Sequence, residues 1–248
     1  MKEYMAWEGQ DMTHEMETLR TWIGESGNIV FFGGAGVSTE SGIPDFRGTG
    51  GLYHQQYAYP PETILSHSFF EREPEEFFRF YRNKMLFLDA QPNAAHRKLA
   101  EWEERGKVKA VITQNIDGLH QKAGSRRVLE LHGSVLRNHC RKCGAFYGVE
   151  AVANSEGVPR CRCGGIIKPD VVLYEESLDE EVLAASVSAI RRAEVLIIGG
   201  TSLTVYPAAG LVRYYRGNKL VVINKTALPG TEADLTISGP IGEVMAGL

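Results

Sequence analysis

No stretch of this 248-residue chain reaches about 18 consecutive apolar residues, so no membrane-spanning helix is expected. Its first residues, Met1 to Gln10, lack the apolar core of a secretory signal peptide. A basic excess is also missing: 27 Lys and Arg stand against 31 Asp and Glu, a net charge of −4. Nucleic-acid binding relies on clustered Lys and Arg that neutralise phosphates, so no direct nucleic-acid partner is expected. Cysteine is scarce, with four in the chain. Without a signal peptide these read as reduced thiols of a cytoplasmic protein. No internal repeat or low-complexity linker divides the sequence. What remains is 43% hydrophobic, enough for a full globular core.

The apolar residues fall in short runs rich in β-branched side chains: Ile29–Phe32, Val108–Thr113, Val128–Leu131, Val195–Ile198, Leu220–Ile223 and Leu235–Ile237. Continuous rather than alternating runs suit strands covered on both faces. Helical spacing separates several of them. Met12, Met16, Leu19 and Ile23 repeat along 11–25. Ala95, Leu99 and Trp102 share a face of 92–105, with Gly106 as the stop. Ser177-Leu-Asp-Glu180 reads as a capping box opening a helix toward Arg192. Strands alternating with helices imply right-handed βαβ units, hence an α/β fold with a doubly wound, Rossmann-like parallel sheet.

Two segments break this rhythm. Residues 48–88 read as a loop followed by a helical stretch with Phe77, Phe78, Tyr81 and Met85 at helical spacing. Residues 138–168 carry all four cysteines. Both are expected to be inserts forming a smaller zinc-ribbon and helical subdomain, with 11–47, 89–137 and 169–248 as the larger part. Cys140-x-x-Cys143 and Cys161-x-Cys163 have the paired spacing of a zinc ribbon, each pair gripping one side of a tetrahedral ion. The second pair has only Arg162 between its sulfurs, a tighter turn than usual. His139 is an alternate ligand in principle, but four cysteines already close the site. A closed site has no position for water, so the zinc is expected to be structural. Two disulfides, or four unrelated buried thiols, are the alternatives that the paired spacing opposes.

Ile29–Phe32 empties into Gly34-Ala-Gly-Val-Ser-Thr-Glu-Ser-Gly-Ile-Pro-Asp-Phe-Arg-Gly48. A strand running into a glycine-rich turn brings backbone N–H groups against a pyrophosphate. The spacing departs from G-x-G-x-x-G, because Gly33, Gly34 and Gly36 come early and the next glycine is Gly42. Pro44-Asp45-Phe46-Arg47 adds an acid, an aromatic and a base that phosphate binding alone does not need. Gln114-Asn115-Ile116-Asp117 leaves another strand at its carboxyl end, where such sheets bind ligands. His132 follows a third strand and precedes Gly133, and a histidine there can titrate near neutrality and act as a base. On residues alone, 114–117 reads better as a polar turn and His132 better as a structural histidine.

In order and spacing, Gly34-Ala-Gly-Val-Ser38, Gly42-Ile-Pro-Asp-Phe-Arg47, Thr113-Gln-Asn-Ile-Asp117, Leu131-His132-Gly133, Gly200-Thr-Ser202 and Val222-Ile-Asn224 agree with one family. With the four-cysteine module between them, they closely resemble the bacterial-type sirtuins, NAD-dependent protein-lysine deacylases, from about Gly27 to the C-terminus. The resemblance implies a single catalytic domain over 1–248. It also implies NAD+ as a consumed co-substrate, structural Zn2+, and an acetyl-lysine protein or peptide as partner. It makes His132 the base and sets Asn115 beside it as catalytic. Ala35, Thr39, Phe46 and Arg47 go to the pyrophosphate and nicotinamide side. Gln114, Ile116 and Asp117 go to the nicotinamide pocket, with Thr201, Ser202, Asn224 and Ile241 at the adenosine half.

The same resemblance puts the acyl-peptide groove along Val171–Glu176. There Tyr174-Glu175-Glu176 replaces the Phe-Gly-Glu of many sirtuins, adding a side chain and a charge beside the peptide. Sirtuins that prefer acidic acyl groups carry Tyr-x-x-Arg, whereas this chain has Tyr81-Arg82-Asn83-Lys84. Neutral acyl groups, acetyl first, are therefore expected. His14, His54, His67, His96 and His120 are expected to be surface or packing residues. Two other readings of the site stay open: a protein ADP-ribosyltransferase using the same NAD, and a non-catalytic NAD- or zinc-binding module.

Overall fold

A computed structural model describes residues 9–45, 51 and 59–248, the side chains of 9–13 excepted. Phe46, Arg47, His54 and the Met12 side chain lie outside the described residues. The chain opens with α1 (Gly9–Glu25) and β1 (Ile29–Gly33), then 3-10 turns at Ala35–Val37 and Thr39–Ser41. Helices α2 (Pro61–Ile64), α3 (His67–Arg72), α4 (Pro74–Lys84) and α5 (Ala94–Glu104) follow. Next come β2 (Val108–Thr113), α6 (Leu119–Lys122), β3 (Val128–Glu130), β4 (Gly133–Cys140), β5 (Phe146–Gly148), α7 (Glu150–Ala153) and β6 (Ile167–Val171). The chain ends through α8 (Glu180–Arg192), β7 (Val195–Gly199), a 3-10 segment Ala208–Tyr214, β8 (Leu220–Asn224), β9 (Leu235–Ser238) and α9 (Ile241–Ala246). No helix among the described residues is long and apolar enough to cross a membrane.

Six strands form a sheet in the order β3-β2-β1-β7-β8-β9, every neighbouring pair parallel. The chain builds outward from β1 to β3, then returns to the other side of β1 at β7. The strand order therefore reverses between β1 and β7, and ligands bind at such a switch point, outside the carboxyl ends of the strands. The register puts Thr113, Gly33 and Gly199 side by side, with Ile223 next to Gly199. Four loops therefore leave the sheet at one level.

Both faces of the sheet are covered, as its continuous apolar strands require. Leu19 and Ile23 of α1, Leu99 and Trp102 of α5 and Met245 of α9 pack on Ile29, Phe31, Val111 and Ile197. On the other face Ala189 and Ile190 of α8, with Ala208 and Leu211, pack on Val30, Phe32, Ile112 and Ile198. The cap of α8 differs from the sequence expectation. Asp179, not Ser177, accepts the Glu181 and Val182 amides, both at 2.9 Å. The backbone is already extended at Asp179 (φ −63°, ψ 123°), which makes it the residue next to the first turn, the position from which a short side chain reaches the free N–H groups.

A three-stranded antiparallel sheet, order β5-β4-β6, was not legible in the cysteine-rich stretch. It runs from Gly133 to Val171, beyond 138–168 at both ends. β4 reads Gly-Ser-Val-Leu-Arg-Asn-His-Cys, with no clean alternation, and its register slips between Ser134 and Asn138. Its apolar residues share one core with the helical insert. Phe69, Phe70, Phe77, Phe78 and Tyr81 pack with Val135, Val152, Ile167, Val171 and Leu173. The rings meet edge to face, Phe70–Phe77 at 5.0 Å and Phe77–Phe78 at 5.2 Å between centroids, the arrangement aromatic quadrupoles favour.

Two histidines lie wholly inside the large core. The rings of His96 (α5) and His120 (α6) are 4.7 Å apart, and both residues are buried. His96 Nδ1 accepts the Asn93 amide at 3.2 Å, closing a capping box at the start of α5. His96 Nε2 and both ring nitrogens of His120 have no partner in the protein. Burial, aided by the charge of Arg97, pulls His96 down to about 4. Burial, aided by His96, holds His120 well below the ordinary histidine value. The fold therefore keeps both rings neutral, while the unfolded chain takes up protons below about pH 6.5. Stability from this pair is full above that pH and is lost as pH falls toward 4. We expect the unfolding free energy from urea titrations to drop between pH 7 and pH 5, by up to about 1.4 kcal/mol per pH unit for each histidine. His120→Leu should flatten that slope; an unchanged slope would mean the pair is not its source.

Candidate active site

The glycine loop after β1 and the Gly200-Thr201-Ser202 loop after β7 are pressed together. The Gly36 amide donates to the Gly200 carbonyl at 2.8 Å, and Gly34 donates to Gly199 at 3.3 Å. A Cβ on Gly36 would stand 2.8 Å from the Gly200 main chain, and one on Gly200, at φ +57°, would stand 2.4 Å from the Val37 nitrogen. Only a pair of glycines permits this approach. Asn93 braces the loop from α5, donating to the Val37 carbonyl at 2.7 Å and the Ser41 hydroxyl at 3.0 Å. Ala35 lies half-buried in this loop, and Thr39 donates to the Gly36 carbonyl at 3.0 Å.

From the end of β2, a chain of polar side chains reaches into the same loop. Asn115 Nδ2 donates to Ser38 Oγ at 3.0 Å, and Ser38 Oγ donates to Asp117 Oδ2 at 2.7 Å. Asp117 Oδ1 accepts the Leu119 amide at 2.9 Å. Burial raises the Asp117 carboxyl above the ordinary range, and these two donors pull it part of the way back. Ser38 had no assigned role in the sequence reading; its place in the glycine motif was the available signal. Ile116 accepts the Val135 amide through its carbonyl at 3.0 Å, tying this loop to β4.

His132 joins the two sheets. Its Nδ1 lies 2.9 Å from the Gln114 carbonyl, and its own carbonyl accepts the Val172 amide at 3.0 Å. A carbonyl can only accept, so Nδ1 carries the proton and Nε2 carries the lone pair. Burial lowers the pKa of the ring, and the Gln114 bond partly restores it. Gly133 follows at φ +72°, and a Cβ there would overlap the Asp170 carbonyl oxygen at 1.8 Å. The sharp turn that aims His132 thus depends on that glycine.

The remaining expected residues line the β7–β8 side. Gln114 Oε1 accepts from Thr201 Oγ1 at 3.3 Å, while Gln114 Nε2 is buried without a protein partner. A buried donor so exposed to desolvation cost is a group that a ligand can satisfy. Asn224 commits both N–H groups, to the carbonyls of Thr201 (3.1 Å) and Thr226 (2.9 Å), which leaves Oδ1 as an acceptor. Ser202 is exposed and bonded to Thr204 at 2.8 Å. The Ile241 side chain is buried against Gly199 rather than facing outward.

The expected peptide segment continues from β6. Tyr174 bridges Ser66 in parallel, and Glu175 adopts φ +75°, the left-handed conformation that favours glycine. Its carboxylate accepts both the amide (2.8 Å) and the hydroxyl (3.0 Å) of Ser68. The extra charge is therefore tied to α3. Glu176 accepts from the Leu173 amide, His67 and Lys168 at 2.9, 2.9 and 3.1 Å.

At the far end of the small sheet, Cys140, Cys143, Cys161 and Cys163 are free thiols whose sulfurs all lie within 4.8 Å of one another. Cys140–Cys163, Cys143–Cys163 and Cys143–Cys161 are 3.4, 3.5 and 3.6 Å apart. Zinc–thiolate bonds of about 2.3 Å set a tetrahedral edge near 3.8 Å, so the donor set fits zinc. The Tyr147 hydroxyl and the Lys142 amide point at Cys161 and Cys140, at 3.0 and 3.4 Å, as donors to thiolates. His139 is outside the cluster, its ring 5.5 Å from Phe146.

A switch-point crevice with paired glycine loops, a polarised Asn–Ser–Asp chain, an oriented histidine and a closed thiolate module defines a nucleotide-using enzyme with a structural metal. The Sir2 family model matches residues 34–207, and the chain belongs to that family. It is 59% identical over 236 residues to an NAD-dependent protein deacetylase of Clostridium acetobutylicum, covering 93% of this chain and 96% of that one. It is 41% identical to an NAD-dependent protein deacetylase of Staphylococcus aureus, covering 96% and 99%. Among solved structures, it superposes on a Sir2 complex with a p53 peptide and NAD+ at TM-score 0.81 and 40% identity, covering 93% of this chain and 95% of that one. A Sir2 complex with a deacetylated p53 peptide and 3′-O-acetyl-ADP-ribose gives 0.85 and 40%, covering 94% and 96%.

Metal removal tests the thiolate site. Stripping zinc with a strong chelator should lower the melting temperature and the activity together, because folding and metal binding are coupled. Cys140→Ala should do the same, and metal analysis should give about one zinc per chain. A native protein without zinc, or full thermal stability after Cys140→Ala, would count against the site.

Proposed function

We propose that this chain is an NAD-dependent protein-lysine deacetylase whose base is His132. Acetyl-lysine protein, NAD and water give free lysine, nicotinamide and O-acetyl-ADP-ribose. NAD supplies the ribose carbon that takes up the acyl oxygen as nicotinamide leaves. The observation that carries the reading is the fixed tautomer of His132. With Nδ1–H held by the Gln114 carbonyl, Nε2 is free to accept a proton from a ribose hydroxyl. Asn115, Ser38 and Asp117 hold the nicotinamide end by a directional row of hydrogen bonds, and Ile116 with Gln114 forms its wall. Ala35 and Thr39 take the pyrophosphate, with Phe46 and Arg47 completing that side by family likeness. Thr201, Ser202, the Asn224 oxygen and the Ile241 main chain hold the adenosine half.

The substrate enters between two lobes. We assign 11–47, 89–137 and 169–248 to the nucleotide lobe, and 48–88 with 138–168 to the smaller one. An acetyl-lysine peptide then runs along Val171–Glu176. The net charge of −4 favours a protein over a nucleic-acid partner, and a cytoplasmic location suits four free cysteines. The rival ADP-ribosyltransferase reading predicts a protein adduct in place of O-acetyl-ADP-ribose, and mass spectrometry of the products separates the two.

His132→Ala should keep the fold and NAD binding while losing roughly 10²- to 10⁴-fold in kcat. Because burial lowers the pKa of His132, its neutral form persists below the ordinary histidine value. The acid limb of kcat/KM should therefore fall below about pH 6.5, and a limb above neutrality would contradict the assignment. Acyl choice gives a separate check. Tyr81 is fully buried against Phe77, and Arg82 is committed to Ser155 at 3.1 Å and to the face of Phe78. Neither Arg82 nor the point charge of Lys84 provides a bidentate fork for a carboxylate. We expect kcat/KM for an acetyl-lysine peptide to exceed that of its succinyl version.

A further inference from the structure

Glu40 sits in the glycine motif with no part in the chemistry described so far. It lies on the second 3-10 turn, one residue after Thr39, and is exposed. Its carboxylate nevertheless crosses 202 positions of sequence to accept the Gly242 amide at 2.6 Å. Gly242 belongs to the first turn of α9, whose preceding residue, Pro240, provides no side-chain cap. Glu40 thus does from outside what a capping side chain does from within. The spot is closely filled: a Cβ on Gly242 would stand 2.7 to 2.9 Å from the Glu40 carboxylate atoms.

The two ends of this bond matter because of what they carry. One is the loop assigned to pyrophosphate. The other is the helix that begins with Ile241, the residue assigned above to the adenosine half. Beneath them Ile241 and Val244 of α9 pack with Val37 of the loop in one cluster. Apolar packing is non-directional and tolerates sliding, whereas a short charge-assisted hydrogen bond fixes one register.

We propose that Glu40 is a positioning residue for NAD, clamping α9 to the pyrophosphate loop so that the adenosine and diphosphate contacts form together. The inference rests on the NAD-dependent reading of the site. Glu40 acts through the Gly242 amide and touches no reacting atom, so its loss should appear in nucleotide binding and not in turnover.

The test is steady-state kinetics with an acetyl-lysine peptide, together with calorimetric binding of ADP-ribose, on wild-type protein and on Glu40→Ala, Glu40→Gln and Gly242→Ala. Glu40→Ala should raise KM for NAD and Kd for ADP-ribose about three- to thirtyfold, the range expected for a lost charge-assisted hydrogen bond partly open to water. Its kcat and peptide KM should stay near wild type. Glu40→Gln, whose carbonyl oxygen can still accept the amide, should recover most of the loss. Gly242→Ala displaces the carboxylate and should mimic Glu40→Ala, and the double variant should be no worse than either single one. A lower melting temperature with unchanged KM for NAD would overturn the proposal and leave Glu40 a structural cap only. A fall in kcat at unchanged KM, or additive losses in the double variant, would overturn it too. If wild-type protein releases no nicotinamide from NAD, the reading of the site fails; normal wild-type turnover with an indifferent Glu40→Ala sinks the clamp alone.

Discussion

The contact on which the site depends is the meeting of two backbones at the reversal of the sheet. Gly36 and Gly200 lie with the Gly36 amide on the Gly200 carbonyl, and neither position has room for a Cβ. Because Gly33 stands in register between Thr113 and Gly199, the loops after β1, β2 and β7 begin at the same height. Closing the glycine pair then brings Ser38 within reach of Asn115 and Asp117, and Thr201 within reach of Gln114. The polar groups are positioned by the packing of the sheet beneath them. None needs a long flexible side chain to arrive.

A second constraint couples His132, the proposed base, to the proposed peptide segment. His132 is the last residue before β4, with its ring fixed to the Gln114 carbonyl of the large sheet and its carbonyl to Val172 beyond β6. Arg137 makes a further link, bonding Glu130 of β3 at 2.7 Å and Asp170 of β6 at 2.8 Å. The edge of the large sheet and the start of the proposed peptide segment are thereby held in one frame. Movement of one displaces the His132 ring relative to the other.

The parallel sheet was readable because its central strands β1, β7 and β8 are buried with no polar face and appeared as unbroken apolar runs. The outer runs, though broken by Lys109, Glu130 and Thr236, still fell within a residue of their real limits. Helix α5 was equally plain, with Ala95, Leu99 and Trp102 turned inward as their spacing required. The small sheet was hidden for the opposite reason. β4 is only partly buried, slips register at its centre and is stabilised by partners far away in sequence, none of which leaves a period-2 signature. In the site, the histidine, the cysteines and the Asn–Asp pair stood out through ordered motifs. The tautomer of His132, the role of Ser38 and the turning of the Ile241 side chain into the core depended on which neighbour the fold supplied. Glu175 is instructive: its charge was visible, but its capture by Ser68 was not.

The aromatic core under the small sheet is assembled from two pieces of chain, 64–85 and 135–173, with two strands of the six-stranded sheet, β2 and β3, made between them. Two of its buried members, Cys140 and Cys161, also belong to the four-cysteine cluster that fits zinc. Neither piece holds a complete interior of its own. The smaller lobe proposed above is therefore expected not to fold when cut out or transplanted on its own. Its interior closes when β2 and β3 have brought the chain back, so a deletion in either piece exposes apolar surface contributed by the other. Recombination between relatives in this region should succeed when both pieces are exchanged as a set, since each carries half of a shared shape.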